Sequence, residues 1–178
     1  LYEEIWNECR PLNELEFVLG GDSLALLDSM GFPEGSIHGW LKYIDCYAHT
    51  IHPFDGILDT LSALSQKGLI LGVATNKLRI EYEETMERHG LKRFMEHSIC
   101  LDEVSHAKPD PEPLLYLAEQ SEIPISQMLF IGDTSYDIDC ARAAGCDFAL
   151  AGWGASEALK KEYAVVLEKP DELLSLIQ

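Results

Sequence analysis

Along the first fifty residues, apolar positions recur at helical spacing: Leu1 and Ile5, Leu12 and Leu15, Leu24, Leu26 and Leu27, then Ile37, Leu41 and Ile44. Side chains three and four positions apart share one face of a helix, and no stretch of this region reads as a strand. Gly20-Gly21 and Gly31-Phe32-Pro33 interrupt the pattern, which predicts three or four short helices. At His52-Pro53-Phe54-Asp55-Gly56 the character changes, and afterwards apolar runs of strand length alternate with helical stretches through short connections. That alternation predicts a parallel sheet covered by helices on both faces. Helices are predicted over about 57–67, ended by Gly68, and about 79–89, ended by Gly90. A third starts at Asp110-Pro111 and runs to about Gln120, a fourth spans about 136–144 before Gly145, and a closing helix follows Pro170. Strands are predicted at Leu69 to Ala74, Ser98 to Leu101, Met128 to Ile131, Phe148 to Leu150 and Ala164 to Val166. The first is a continuous apolar run, the mark of a strand buried on both faces.

Charge then limits the partners. Thirteen Lys and Arg against 31 Asp and Glu give a net charge of −18, which opposes nucleic acid and anionic lipid surfaces. A small anionic ligand needs local cations or a metal. No apolar run approaches the roughly 20 residues of a bilayer span. Five cysteines, Cys9, Cys46, Cys100, Cys140 and Cys146, are an odd number with no CxxC pair, so reduced thiols and a cytoplasmic setting are expected rather than disulfides or zinc. The chain opens on Leu-Tyr-Glu-Glu with neither Met nor signal-peptide character, and reads as a piece of something longer.

Ligands of open parallel sheets sit beyond the carboxyl ends of the strands, so the residues that follow each strand are the candidates. The first strand ends in Thr75-Asn76-Lys77, a hydroxyl and consecutive N–H groups just ahead of a helix. After the second comes Ser105-His106-Ala107-Lys108-Pro109-Asp110-Pro111-Glu112-Pro113, where three prolines stiffen the backbone around one cation, Lys108. After the third stands Gly132-Asp133-Thr134-Ser135-Tyr136-Asp137, whose carboxylates Asp133 and Asp137 can converge on a hard cation. Singly, each reads as a helix cap or a solvated surface residue. Three such sets on three successive strands are hard to explain as unrelated caps.

In this order and spacing the chain resembles the haloacid dehalogenase superfamily over residues 52–178. Ala74-Thr75-Asn76-Lys77 is similar to its second motif, Lys108-Pro109-Asp110-Pro111 to its third, and Gly132 to Asp137 to its fourth. The resemblance implies a Rossmann-like α/β core at 52–178 and, at 1–51, the small all-helical cap of the phosphoglycolate phosphatase-like branch. It further implies a Mg2+-dependent phosphomonoester hydrolase working through an aspartyl phosphate on a small phosphorylated metabolite, as a monomer or small homo-oligomer. Thr75 and the Asn76 backbone would hold the phosphoryl oxygens, and Lys108 would neutralise charge between nucleophile and phosphate. Asp133 would bind Mg2+, with Asp137 supporting it directly or through water.

The family's first motif, Asp-x-Asp-Gly-Thr, supplies the nucleophile at the end of the first strand, and no such stretch occurs here. Phe54-Asp55-Gly56-Ile57-Leu58-Asp59-Thr60 imitates it but lacks a preceding apolar strand, and Gly21-Asp22-Ser23 reads as a loop and helix cap. We therefore expect roughly 10 to 20 further residues upstream, enough for a strand and a nucleophile loop. A phosphoglucomutase-like phosphotransferase, a dehalogenase, a non-catalytic phosphate- or metal-binding relative and a receiver-like protein are the alternatives. In the cap, Trp40, Tyr43 and His49 could face the cleft, although aromatic and His side chains at helical spacing more often pack on neighbouring helices.

Overall fold

A computed structural model of the chain describes residues 1–8, 11, 18 and 20–177. Cys9, Leu12 and Leu15 lie outside the described residues. The first fifty residues hold helices α1 (Tyr2–Trp6), α2 (Ser23–Ser29) and α3 (Ile37–Tyr47). Asp22 starts α2, its Oδ1 accepting from Leu24 N at 2.9 Å and Ala25 N at 3.1 Å, which satisfies donors that the first turn leaves unpaired. Trp6 meets Phe32 edge to face at a centroid distance of 4.3 Å, tying α1 to the turn after α2.

Beyond residues 52–56 the order is α4 (Ile57–Gln66), β1 (Gly72–Ala74), α5 (Arg79–Arg88), β2 (His97–Ile99), α6 (Glu112–Ser121), β3 (Leu129–Gly132) and α7 (Ser135–Ala144). Then follow β4 (Asp147–Ala151), α8 (Glu157–Glu162), β5 (Val166–Leu167) and α9 (Leu173–Leu176). All strand pairs are parallel: β1 with β2 in register Val73 to Ser98, β3 with β4 in register Ile131 to Ala149, and β4 with β5 in register Leu150 to Val166. The strands form two sheets, β1-β2 and β3-β4-β5, and among the described residues nothing pairs with the free edges of β1 and β3.

Side chains alternate across the strands because Cβ direction reverses at each residue. Ala74, Ile99, Phe130 and Phe148 face α6 and α7, joining Leu114, Leu117, Cys140 and Ala141 in the largest apolar cluster. Val73 packs instead with Tyr82, Met86 and Cys100 on the α5 side. Ile131 and Ala149 pack with Leu167 and Leu173 of the closing segment. Both faces are therefore covered, as the alternation of elements predicts. Burying Ile99, Leu114 or Leu150 completely contributes roughly 1.5–3 kcal/mol each.

Two local expectations differ from the structure. The strand expected over 69–74 is formed only from Gly72, and Ile70 is 46% exposed, because among the described residues a ladder on one side alone supports β1. Helix α8 was not predicted; Ser156 caps it by accepting from Leu159 N at 3.4 Å, and no apolar stripe announces its six residues. No described helix is long and apolar enough to cross a membrane. The described cysteines, Cys46, Cys100, Cys140 and Cys146, are free.

Candidate active site

The carboxyl ends of β1 and β3 bring the predicted residues together. Thr75 follows β1, where its N–H still donates to Ile99 O at 3.1 Å. Its hydroxyl accepts from Lys77 N at 3.2 Å, which fixes the turn into α5. The Asn76 main-chain N–H has no acceptor among the described residues. Lys108, 9% exposed, reaches back under this turn, its Nζ donating to Ala74 O at 3.0 Å and to Asp137 Oδ1 at 2.6 Å. The same ammonium lies 5.5 Å from the centre of the Phe130 ring, a contact favoured by the ring's negative face.

Asp137 is the most fully engaged residue of the site. While Oδ1 takes the lysine, Oδ2 accepts from Asp133 N at 3.2 Å, Thr134 N at 3.0 Å and Thr134 Oγ1 at 2.7 Å. Burial pushes its carboxyl upward, but the Lys108 charge and the bonds from Lys108 and Thr134 outweigh this and hold it below the ordinary aspartate value. Gly132 is required for this arrangement, since a Cβ there would lie 2.4 Å from Asp137 Cβ.

Asp133 has the opposite character. Its carboxylate takes no hydrogen bond from another described residue, and burial, reinforced by the negative charge of Asp137, raises its pKa. A carboxylate whose ionised form is disfavoured by its surroundings gains most from a cation. Asp133 therefore fits a hard divalent ion as a direct oxygen ligand. Asp137, with both oxygens occupied, fits a supporting place behind it. Gly154, in the turn after β4, forms the wall on the other side: a Cβ there would stand 2.4 Å from Asp133 Oδ2.

Other candidates fall elsewhere. Asp55 and Asp59 are exposed in the turn before α4 and in its first turn, not at a strand end. Tyr43 stacks on Tyr47 at 6.5 Å, and its hydroxyl, bonded to Glu4, is pushed up to about 12. His49 Nδ1 contacts Cys46 O at 3.0 Å. These are contacts within the N-terminal helices, and Trp40 is half-buried on α3. Sequence reasoning missed Gly20 and Gly154. Gly20, read only as a helix breaker, packs against Thr134, where a Cβ would come within 2.8 Å of Cγ2, and its carbonyl accepts from Asn76 Nδ2 at 2.9 Å.

A parallel α/β layout thus gathers a hydroxyl, a buried lysine and an acidic pair around one cleft at the strand ends. The sequence model of the haloacid dehalogenase-like hydrolases matches residues 2–151, and the chain belongs to that family. It is 36% identical over 148 residues to an N-acetylmuramic acid 6-phosphate phosphatase from Pseudomonas aeruginosa, covering 76% of this chain and 62% of that one. It is 37% identical over 124 residues to a phosphoglycolate phosphatase from Escherichia coli, covering 70% of this chain and 48% of that one. The chain thus spans from just under half to about three-fifths of the length of these curated relatives, 48% and 62%. A crystal structure from Lactobacillus plantarum, provisionally assigned as a phosphoglycolate phosphatase, superposes with TM-score 0.83 at 27% identity, over 98% of this chain and 86% of that one.

Proposed function

We propose that the protein is a phosphatase of small phosphorylated metabolites, with Mg2+ as its cofactor, working in the cytoplasm. The observation that carries this reading is the buried Lys108 ammonium, clamped by Asp137 and Ala74 O between the Thr75 turn and Asp133. In a chain of net charge −18, a fixed cation at the strand ends is what an anionic substrate requires. Residues 1–51 act as a helical cap over the core of residues 52–178.

In this reading the Thr75 hydroxyl and the Asn76 N–H bind phosphoryl oxygens, and Lys108 neutralises the charge that builds up as the phosphoryl group transfers. Asp133 holds the metal, and Asp137 keeps Lys108 and the Asp133-Thr134 backbone in place. Mg2+, when bound, supplies neutralising charge to the phosphoryl oxygens. The nucleophile is an aspartate at the end of a strand between β1 and β3, whose facing edges are unpaired among the described residues. Its carboxylate oxygen bonds to phosphorus as the bond to the substrate oxygen breaks, and water then cleaves the acyl phosphate. The names of the relatives support a phosphorylated sugar or a small phosphorylated acid as substrate.

The test is phosphate release by the full-length protein from a panel of such esters over a Mg2+ titration. Mg2+-dependent turnover that Asp133→Asn abolishes is expected. Turnover insensitive to both the metal and this substitution contradicts the reading.

A further inference from the structure

A carboxamide offers two donors on nitrogen and one acceptor oxygen. At Asn76 all are used inside the protein: Nδ2 donates to Lys108 O at 3.0 Å and to Gly20 O at 2.9 Å, while Oδ1 accepts from Lys108 N at 3.0 Å. The orientation of the amide is forced, because carbonyl oxygens only accept and the Lys108 N–H only donates. Asn76 is 7% exposed, so losing any of these partners strands a polar group away from water.

The partners are far apart in sequence, 32 residues to Lys108 and 56 to Gly20. One side chain thus grips both main-chain groups of the residue whose ammonium reaches Asp137. It also grips the turn that leads into α2 and packs on Thr134. If the turn lifts, Asn76 loses one of three bonds and its hold on Lys108 weakens; if it docks, the backbone of Lys108 is held in line.

We propose that the Asn76 carboxamide is a positioning group that couples docking of the Gly20 turn to alignment of Lys108. This role of the side chain is separate from the main-chain N–H given to phosphate above, and its catalytic consequence rests on that reading of the cleft. The experiment is amide hydrogen exchange on the full-length protein and its N76A and N76D variants, with steady-state kinetics alongside. N76A is expected to speed exchange about tenfold or more at Lys108 and at residues 21–25 together, leaving β4 unchanged. N76D keeps an acceptor for the Lys108 N–H but sets oxygen against two carbonyls. It is expected to free residues 21–25 as N76A does and to loosen Lys108 by less than N76A does. In N76A, kcat falls about 100-fold, the scale of a small misplacement, while KM changes little.

Exchange that rises in one segment only in N76A, or evenly through the chain, overturns the coupling. An unsubstituted protein that releases no phosphate sinks the phosphatase reading instead, and the exchange pattern then decides the coupling by itself.

Discussion

At the scale of single residues the two aspartates of the site behave oppositely, and the difference is measurable. Asp137 is the partner of a buried lysine, 2.6 Å away, and also the acceptor for the Asp133-Thr134 turn. Asp137→Ala leaves the Lys108 charge buried with Ala74 O as its remaining partner. Breaking such a pair costs roughly 3–5 kcal/mol, to be read from the urea midpoint. Asp133 is desolvated and faces a like charge, so Asp133→Asn is expected to leave the metal-free midpoint unchanged or raise it. Mg2+ should raise the melting temperature of the unsubstituted protein and not that of this variant. Gly154 belongs to the same account. A methyl group 2.4 Å from Asp133 Oδ2 must turn the carboxylate aside, so Gly154→Ala is expected to weaken Mg2+ binding by calorimetry. The loss should be about 10- to 100-fold, as for other groups that orient a ligand.

At the scale of elements, the loop that delivers Lys108 is secured by Glu112 in the first turn of α6. Its Oε1 accepts from Ser105 N at 2.8 Å and its Oε2 from His106 N at 2.9 Å. From inside, Cys140 Sγ donates to Asp110 O at 3.0 Å. The bond from Ser105 N, set against partial desolvation and aided by His106, lowers the Glu112 pKa below 4.5. A depressed carboxyl supports the fold above its unfolded pKa and loses that support as pH falls through the folded value. Protection of the Ser105 and His106 amides, relative to intrinsic exchange at the same pH, should therefore be high at neutral pH and be lost only below pH 4.5, and Glu112→Ala should lack it at every pH.

Strand and helix types in the core were legible in the sequence because uninterrupted apolar runs and glycine stops mark them, as at Met128 to Ile131 and Gly145. Helix α8 was not, since Lys160, Lys161 and Glu162 conceal any apolar face. Thr75, Lys108, Asp133 and Asp137 could be picked out because each follows a strand. Gly20 and Gly154 could not, because a glycine's close approach to a residue distant in sequence is set by tertiary packing. The division of labour within the acidic pair was equally invisible: spacing gives two carboxylates, but only the three-dimensional arrangement saturates Asp137 and leaves Asp133 open.

At the scale of the whole molecule, β1 and β3 end at the same cleft, yet among the described residues each offers an unpaired edge. Ile70 and Leu129, 46% and 39% exposed, flank those edges with apolar surface. A parallel strand placed between them would satisfy both ladders and carry its last residues to Thr75, Lys108 and Asp133. In a protein that carries such a strand the amides of Val73 and Phe130 should exchange far more slowly than in a polypeptide of residues 1–178 alone; equal rates would remove the case for an inserted strand. The reading of the whole molecule as a phosphatase depends most on the buried cation at that cleft. The most direct test is the rate of Mg2+-dependent phosphate release by the full-length protein beside Lys108→Met, which keeps the bulk and removes the charge. A loss of about 100- to 1000-fold in kcat with the fold retained is predicted, the scale of removing one preorganised charge-stabilising group. A variant that turns over as fast as the unsubstituted protein would contradict the account.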